Sequence, residues 1–322
     1  MKNSVSSILT LYAVSQIHAG SGAAVSTVDL PIQRERHTNY PCIYASSLKG
    51  AMRAHFREFI QEDAVNCEYK KNEDKQITKL INFIFGSDEQ DDWKDKNESI
   101  PGAISVSDGK LLAFPMRSNI APFVWVTCPN IINRLKRDLK FLKINDCNDI
   151  NGLSIAKDDE AKIIIRKTDN GTQKEDKVIL EDAVVNLGGN INLSFIETNF
   201  PEIHTVISET SCLLLISDEM FDYCISSCTE IQTNIKIDSR TGTAQDGTLR
   251  YQEFLPSDSI LYAIVNFKNQ QCEAGLLPEA VSGHVQKAIK DFIQIGGDET
   301  LGKGICKIDW VGDNKSKPNT EV

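Results

Sequence analysis

No apolar run in this sequence approaches the ~20 residues that a bilayer-spanning helix needs, which argues against a membrane protein. Zinc is poorly provided for. The one close cysteine pair, Cys224 and Cys228, stands in CISSC without the two-residue spacer of a zinc knuckle, and no histidine cluster lies near it. The nine cysteines are an odd number scattered from Cys42 to Cys306, which fits reduced, mostly buried thiols in a cytoplasm. There is no GxxxxGK[ST] phosphate loop, no acid pair at the spacing of a two-metal nuclease, and no long repeat. Excess positive charge is also lacking: 35 Lys and Arg face 45 Asp and Glu, a formal net charge of −10 at pH 7. That total does not exclude nucleic acid, because phosphate contacts depend on where the cations sit.

A chain of 322 residues can bury a substantial core, as one elaborated domain or as two. Its acidity is local: SDEQDDWKDKNE (87–98) holds six acids against two lysines and reads as a solvated loop. Lys2 followed by ILTLYAV (8–14) has the outline of a signal peptide. The run is short for that purpose, and it fits a buried strand instead.

Residues 7–15 read as a first strand. From Ser46 the pattern turns helical: ASSLKGAMRAHFREFI has Ser46 or Ser47 to cap it and repeats Leu48, Met52, Phe56, Phe59 and Ile60 at helical spacing. Near the other end, SILYAIVNF (259–267) reads as a strand. A helix is expected over 277–295, with Val281, Val285, Ala288, Ile289 and Phe292 on one face, and ICKIDWV (305–311) as a closing strand. Strand-then-helix units at both ends are the pattern of a ferredoxin-like βαββαβ sheet, an α+β fold, with insertions between them. Two segments read as long hairpins: 161–182 around Asn170-Gly171, and 233–256 around a glycine-rich tip. The tail 313–322 reads as disordered.

Against this acidic total, one cluster of cations falls early. VDLPIQRERHTNYPCIYASSLKGAMR (28–53) contains Arg34, Arg36, Lys49 and Arg53 against only Asp29 and Glu35. Lys49, Arg53 and Arg57 fall at i, i+4 and i+8, one stripe of the helix, beside Ser47 and Gly50 near its start. Such a helix start can seat a phosphate, or it can simply carry a charged flank. GGDETLGKG (296–304) places Gly296, Gly297, Gly302, Lys303 and Gly304 between the expected helix and strand. It serves equally as a phosphate-facing backbone loop or as a plain helix stop. Asp29, before Leu-Pro, is either a turn residue or a carboxylate able to bind a divalent ion or take a proton. Its neighbours His18, Arg34, Arg36 and His37 favour the chemical role. His55, His204 and His284 stand singly and read as structural. NRLKRDLKFLK (133–143), with Arg134, Lys136, Arg137, Lys140 and Lys143, is a solvated face or an RNA-facing patch.

HAGSG (18–22), VDLPIQRERHTNYP (28–41), SSLKGAMR (46–53), FIFG (83–86), SVSDGKLLAFPMRS (105–118) and GGDETLGKG (296–304) resemble, in order, the RAMP superfamily of CRISPR proteins. VDLPIQRE and FPMRS resemble specifically the repeated backbone subunits of type III-B (Cmr) effector complexes. The resemblance implies a modified ferredoxin-like (RRM-like) domain over 1–312. Lid-like insertions would fall at about 61–104 and 129–205, with a thumb hairpin at 230–257. It implies a crRNA-binding subunit that stacks in copies along the guide and cleaves complementary target RNA at regular intervals, with Mg2+ or Mn2+ as cofactor. Further partners would be other subunits of the complex, including a large polymerase-domain subunit and a small helical one. The family's catalytic aspartate matches Asp29, also the implied metal ligand, with Tyr251 and Glu253 near the cleavage point; His18, from its place beside Asp29, completes the catalytic candidates. Arg34, Arg36, Ser47, Lys49, Gly50, Arg53 and the glycine loop would hold RNA. A backbone subunit without catalysis, as in a type III-A-like complex, and a repeat-RNA processing enzyme are the rival readings.

Overall fold

The computed structural model describes residues 4–23, 28–61, 74–87, 101–144, 153, 155, 157–166, 176–268 and 277–312. The acidic run beyond Ser87, the Asn170-Gly171 turn and the tail 313–322 lie outside the described residues, as do most of 61–104 and part of 129–205. Among the described residues no helix is long and apolar enough to cross a membrane.

The first apolar run forms strand β1 (Ser4–Ala13). Ile8, Leu9 and Leu11 are wholly buried, because this strand has neighbours on both edges and packing on both faces. Next come β2 (Cys42–Ile43), α1 (Ala45–Gln61), α2 (Asp74–Phe85), β3 (Ile104–Val106), β4 (Gly109–Arg117) and β5 (Phe123–Thr127). After α3 (Pro129–Leu142) the chain adds β6 (Glu160–Ile165), β7 (Lys177–Leu180), β8 (Ala183–Asn190), α4 (Ser194–Asn199), α5 (Pro201–Thr210) and β9 (Leu213–Leu215). Helix α6 (Asp218–Ser227) leads to β10 (Glu230–Asn234), β11 (Arg250–Phe254) and β12 (Ile260–Lys268). The chain closes with α7 (Pro278–Ala288), β13 (Phe292–Gln294) and β14 (Ile305–Gly312).

The main sheet runs β13-β14-β1-β12-β4-β5-β9-β6-β8-β7. Strand β1 is antiparallel to both β12 and β14, so Leu9 faces Ala263 on one side and Trp310 on the other. Strand β4 divides its pairing. Lys110–Ala113 pair with β12, and Phe114–Arg117 pair with β5, which joins the end-built half of the sheet to the middle of the chain. Helices α1 and α7 lie against one another and on the first half. Leu48, Met52 and Phe56 fill that layer at helical spacing and are fully buried.

Two sequence expectations fail here. The helix expected over 277–295 stops at Ala288, and Phe292–Gln294 is strand β13. Ile293 and Ile295 are buried while Phe292 is exposed, a period of two that helical spacing had absorbed. The hairpin expected over 161–182 does not form either. Strand β8 lies between β6 and β7, parallel to the first and antiparallel to the second. Ala161, Ile163 and Ile165 are buried, and β8 with β9 covers both edges of β6, which β7 alone could not do. The hairpin expected over 233–256 is present as β10 and β11, paired from Glu230↔Phe254 to Asn234↔Arg250.

Helix α3 is tied to the sheet by buried charge. Lys110 Nζ lies 2.6 Å from Asp138 Oδ2, and the Tyr262 hydroxyl donates to the same oxygen at 3.0 Å. Burial and then the Asp138 charge push the Tyr262 phenol well above its ordinary pKa. Asp138→Ala leaves the Lys110 ammonium without its counter-charge, so it is expected to cost about 3 kcal/mol in urea unfolding. The double change Lys110→Met with Asp138→Leu is expected to recover most of that loss.

Candidate nucleic-acid interface

Residues 28–34 form a strap along β11. Leu30 N donates to the Tyr251 carbonyl at 3.1 Å, and Glu253 N donates to the Leu30 carbonyl at 3.0 Å, a parallel bridge centred on Gln252. Pro31, which has no N–H, falls between the bonded positions. The other edge of the strap meets the loop after β1: Gln33 N donates to the Ala19 carbonyl at 2.8 Å, and Ser21 N to the Pro31 carbonyl at 3.0 Å. The buried Gln33 side chain joins the strap to α1, donating to Gly20 O and Ser47 Oγ at 3.0 Å each and accepting from Tyr44 N at 2.6 Å.

This arrangement brings the four residues named for catalysis to one strand. Asp29 is exposed, and its Oδ2 accepts from Tyr251 N at 2.7 Å. Tyr251 is 40% exposed on the outer side of β11. His18 Nδ1 lies 2.8 Å from the Glu253 carbonyl oxygen. A carbonyl only accepts, so in the neutral ring Nδ1 carries the proton and Nε2 is the basic nitrogen. Glycines make room for this histidine: a Cβ at Gly20 would stand 2.9 Å from Nε2, and one at Gly296 would stand 2.4 Å from the His18 carbonyl oxygen. Glu253 differs from the other three, because its carboxylate is turned inward. It is 7% exposed, with Arg34 at 2.6 Å and Thr229 Oγ1 at 2.8 Å on one oxygen and Ile32 N at 3.0 Å on the other.

The cations divide in the same way. Arg34 faces the interior, donating also to the Asn39 carbonyl at 2.9 Å, whereas Arg36 is exposed. Arg53 is engaged with Asn82 Oδ1 at 2.7 Å and the Gly86 carbonyl at 2.9 Å, so it docks α1 onto the end of α2. Lys49 is half-buried, and burial, then Arg53, hold its pKa below the usual lysine value. Arg57 is exposed. On α3, Arg134 is drawn inward to Glu35 at 2.6 Å, while Arg137, Lys140 and Lys143 stay exposed.

The two backbone sites for phosphate read differently in three dimensions. Helix α1 begins at Ala45, whose N–H is taken by Asp108 Oδ1 at 2.7 Å. A carboxylate thus holds a first-turn amide where Ser46 or Ser47 was expected to cap. Gly50 is exposed with open space around its α-carbon. The glycine loop follows strand β13 rather than a helix, and its amides are largely spent: Gly297 N on the His18 carbonyl at 2.9 Å, Gly302 N on Glu299 O at 2.8 Å, and Gly304 N on Gln16 O at 2.8 Å. Gly304, at φ 77°, passes so close to Ile295 that a Cβ would lie 2.1 Å from its carbonyl oxygen. The loop therefore braces the His18 segment. Lys303 bonds Gln16 and lies 5.0 Å from the Phe254 ring centroid.

Spacing in the sequence gave no sign of Gln33, Asp108 or Thr229, whose roles are hydrogen bonds across the fold. Among the described residues no three His, Cys, Asp or Glu side chains gather as a metal cage. The single exposed carboxylate of Asp29 fits a hard, hydrated cation that takes its other ligands from water and phosphate, the usual habit of Mg2+. Among the described residues the thiols are not candidates: burial pushes Cys42, Cys128, Cys224 and Cys306 up to about 12.

A family model described as the RAMP superfamily matches residues 10–307. The chain is 33% identical over 310 residues to the CRISPR system Cmr endoribonuclease Cmr4 of Pyrococcus furiosus, covering 94% of each. It is 25% identical over 325 residues to the CRISPR system CMR subunit Cmr4 of Saccharolobus solfataricus, covering 94% of this chain and 95% of that one. Among solved structures, oligomeric Cmr4 from Pyrococcus furiosus superposes with a TM-score of 0.65 at 27% identity, over 95% of this chain and 98% of that one. A chain of the type III-B Cmr-beta complex bound to cognate target RNA gives 0.69 at 21% identity, over 96% and 98%, a likeness of fold.

Two neighbouring cations should now behave differently. Lys49→Ala is expected to weaken RNA binding alike for all sequences and to lower the slope of log affinity against log salt by about one. Arg53→Ala is expected to lower the melting temperature, since it releases α1 from Asn82 and Gly86. Salt titrations and thermal melts of both variants check this.

Proposed function

This chain belongs to the RAMP superfamily, and we propose that it is the repeated backbone subunit of a type III-B CRISPR effector complex, binding crRNA and cutting complementary target RNA. The relative at 33% identity is a Cmr endoribonuclease, and the solved Pyrococcus furiosus relative is oligomeric, which supports stacking of copies along a guide. The other partners of this reading are the large polymerase-domain subunit and the small helical subunit, in a cytoplasmic assembly. Strand order β14-β1-β12-β4, with α1 and α7 as the crossovers, supports the ferredoxin-like core. We read the β10–β11 hairpin as the thumb. Ile231, Ile235, Ile237 and Leu249 are each more than half exposed along it, the apolar surface a wedge between bases requires.

The observation that carries the nuclease reading is the exposed Asp29 carboxylate, held by Tyr251 N at the foot of that hairpin with His18 bonded to the same strand. In a regular duplex the 2′-hydroxyl cannot line up behind the phosphorus. A nucleotide unstacked by the hairpin can, and holding it so is a large part of the rate. Asp29 Oδ2 is oriented by the Tyr251 amide, so the carboxylate meets the RNA in a fixed pose to take the 2′-hydroxyl proton. Tyr251 offers an exposed ring on which a base can stack. His18 presents Nε2 as a proton acceptor, or as a donor once protonated. A divalent ion held at Asp29 would neutralise charge on the scissile phosphate. Arg36, Arg57 and Lys49 supply phosphate contacts. Arg34, Arg53 and the glycine loop shape the surface from beneath.

The bond from Tyr251 N also suits a carboxylate that merely closes the strap, the reading in which the subunit binds RNA without cutting it. Asp29→Asn separates the two. The carboxamide is nearly isosteric and still accepts the amide, but it is no base and carries no charge. In an assembled complex with matched target RNA and Mg2+ or Mn2+, cleavage is expected to fall by ~10²-fold or more with guide binding kept. Unchanged cleavage would leave Asp29 as a turn residue.

A further inference from the structure

The parallel ladder between the strap and β11 breaks its own pattern at one residue. After Leu30 N to Tyr251 O and Glu253 N to Leu30 O, the next bond of a parallel ladder would run from Ile32 N to the Glu253 carbonyl. That carbonyl instead accepts from His18 Nδ1 at 2.8 Å, and Ile32 N is taken by the Glu253 side chain, at Oε2, at 3.0 Å. The remaining oxygen, Oε1, holds Arg34 at 2.6 Å and Thr229 at 2.8 Å, while Arg34 reaches the Ile225 carbonyl at the end of α6. One residue therefore grips the segments that carry His18 and Asp29, and the chain just before the hairpin.

We infer that Glu253 is a positioning residue. Its carbonyl fixes His18 and its carboxylate, charged against Arg34, fixes the Asp29 strap, so the two groups keep their mutual placement when RNA displaces the hairpin. The carboxylate is too enclosed to touch RNA. With side chains 18% and 9% exposed, Arg34 and Glu253 form a shielded, charge-assisted pair, and such a pair is costly to break from one side. The consequence for cleavage rests on the nuclease reading. The clamp itself rests only on these bonds.

The test is made on the full chain, and on the assembled complex for activity. Glu253→Gln keeps the shape and an acceptor for Ile32 but removes the charge opposite Arg34. Hydrogen exchange at the Leu30 and Ile32 amides is expected to quicken by about tenfold or more, with the amides of β1 and β12 unchanged. Target cleavage at saturating RNA is expected to fall by about tenfold with guide affinity unchanged and the pH–rate profile keeping its shape. Adding Arg34→Gln should cost little more, because both changes open the same clamp. Arg34→Lys, which keeps the charge but offers one point of contact, should give an intermediate effect at the same amides and serves if Glu253→Gln does not fold. Unchanged exchange at Leu30 and Ile32 would overturn the inference. So would loss of one limb of the pH profile in Glu253→Gln, since that is the mark of a group exchanging a proton with RNA. Faster exchange in the variant, with a wild-type complex that does not cleave, would uphold the clamp and overturn the nuclease reading.

Discussion

Pairing of β1 between β12 and β14 is the constraint on which the rest depends. It sets Leu9 against Ala263 and Trp310, closing the chain's two ends into one sheet. Everything at the candidate interface hangs from that closure. His18 follows β1, Glu253 precedes β12, and Gly296 and Lys303 precede β14, so fixing three strands side by side brings three distant loops together. The strap carrying Asp29 then has a ready edge to lie on in β11.

Part of the chain's positive charge is spent inside the fold. Arg34, Arg53, Lys110 and Arg134 are each turned toward acids, carbonyls or amides of the fold. They join the strap, α2 and α3 to their neighbours, where an unpaired charge would be costly. Near the strap and on α1 the exposed or half-exposed Arg36, Lys49 and Arg57 are left for long-range attraction to phosphate. A surface that is acidic elsewhere disfavours indiscriminate RNA binding.

Glycine at the site acts through close approach more than by offering amides. Gly296 and Gly304 allow the loop to press on His18 and Ile295 where any Cβ would collide; its Gly297 and Gly304 amides hold that contact, and those of Leu301, Gly302 and Lys303 close turns within the loop. The likeness to a phosphate cradle was real in composition. The hydrogen bonds gave the loop another task.

The periodic segments were legible without a structure: β1, α1, β12 and β14, together with the β10–β11 hairpin, follow from runs such as Leu48, Met52 and Phe56 that have one way to bury themselves. The neighbourhood of His18 and Asp29 was legible in the sequence, but the arrival of Tyr251 beside them was legible only through family resemblance, since most of the chain lies between. Where two periods overlapped, as from Ala288 to Gln294, or where β6 had to choose among partners, local pattern could not decide, because burial on a sheet is settled by which strand arrives at its edge. The same limit explains Arg34, Arg53 and Glu253. A charged side chain looks alike in sequence whether it meets solvent, RNA or a buried counter-charge, and only the tertiary structure decides which.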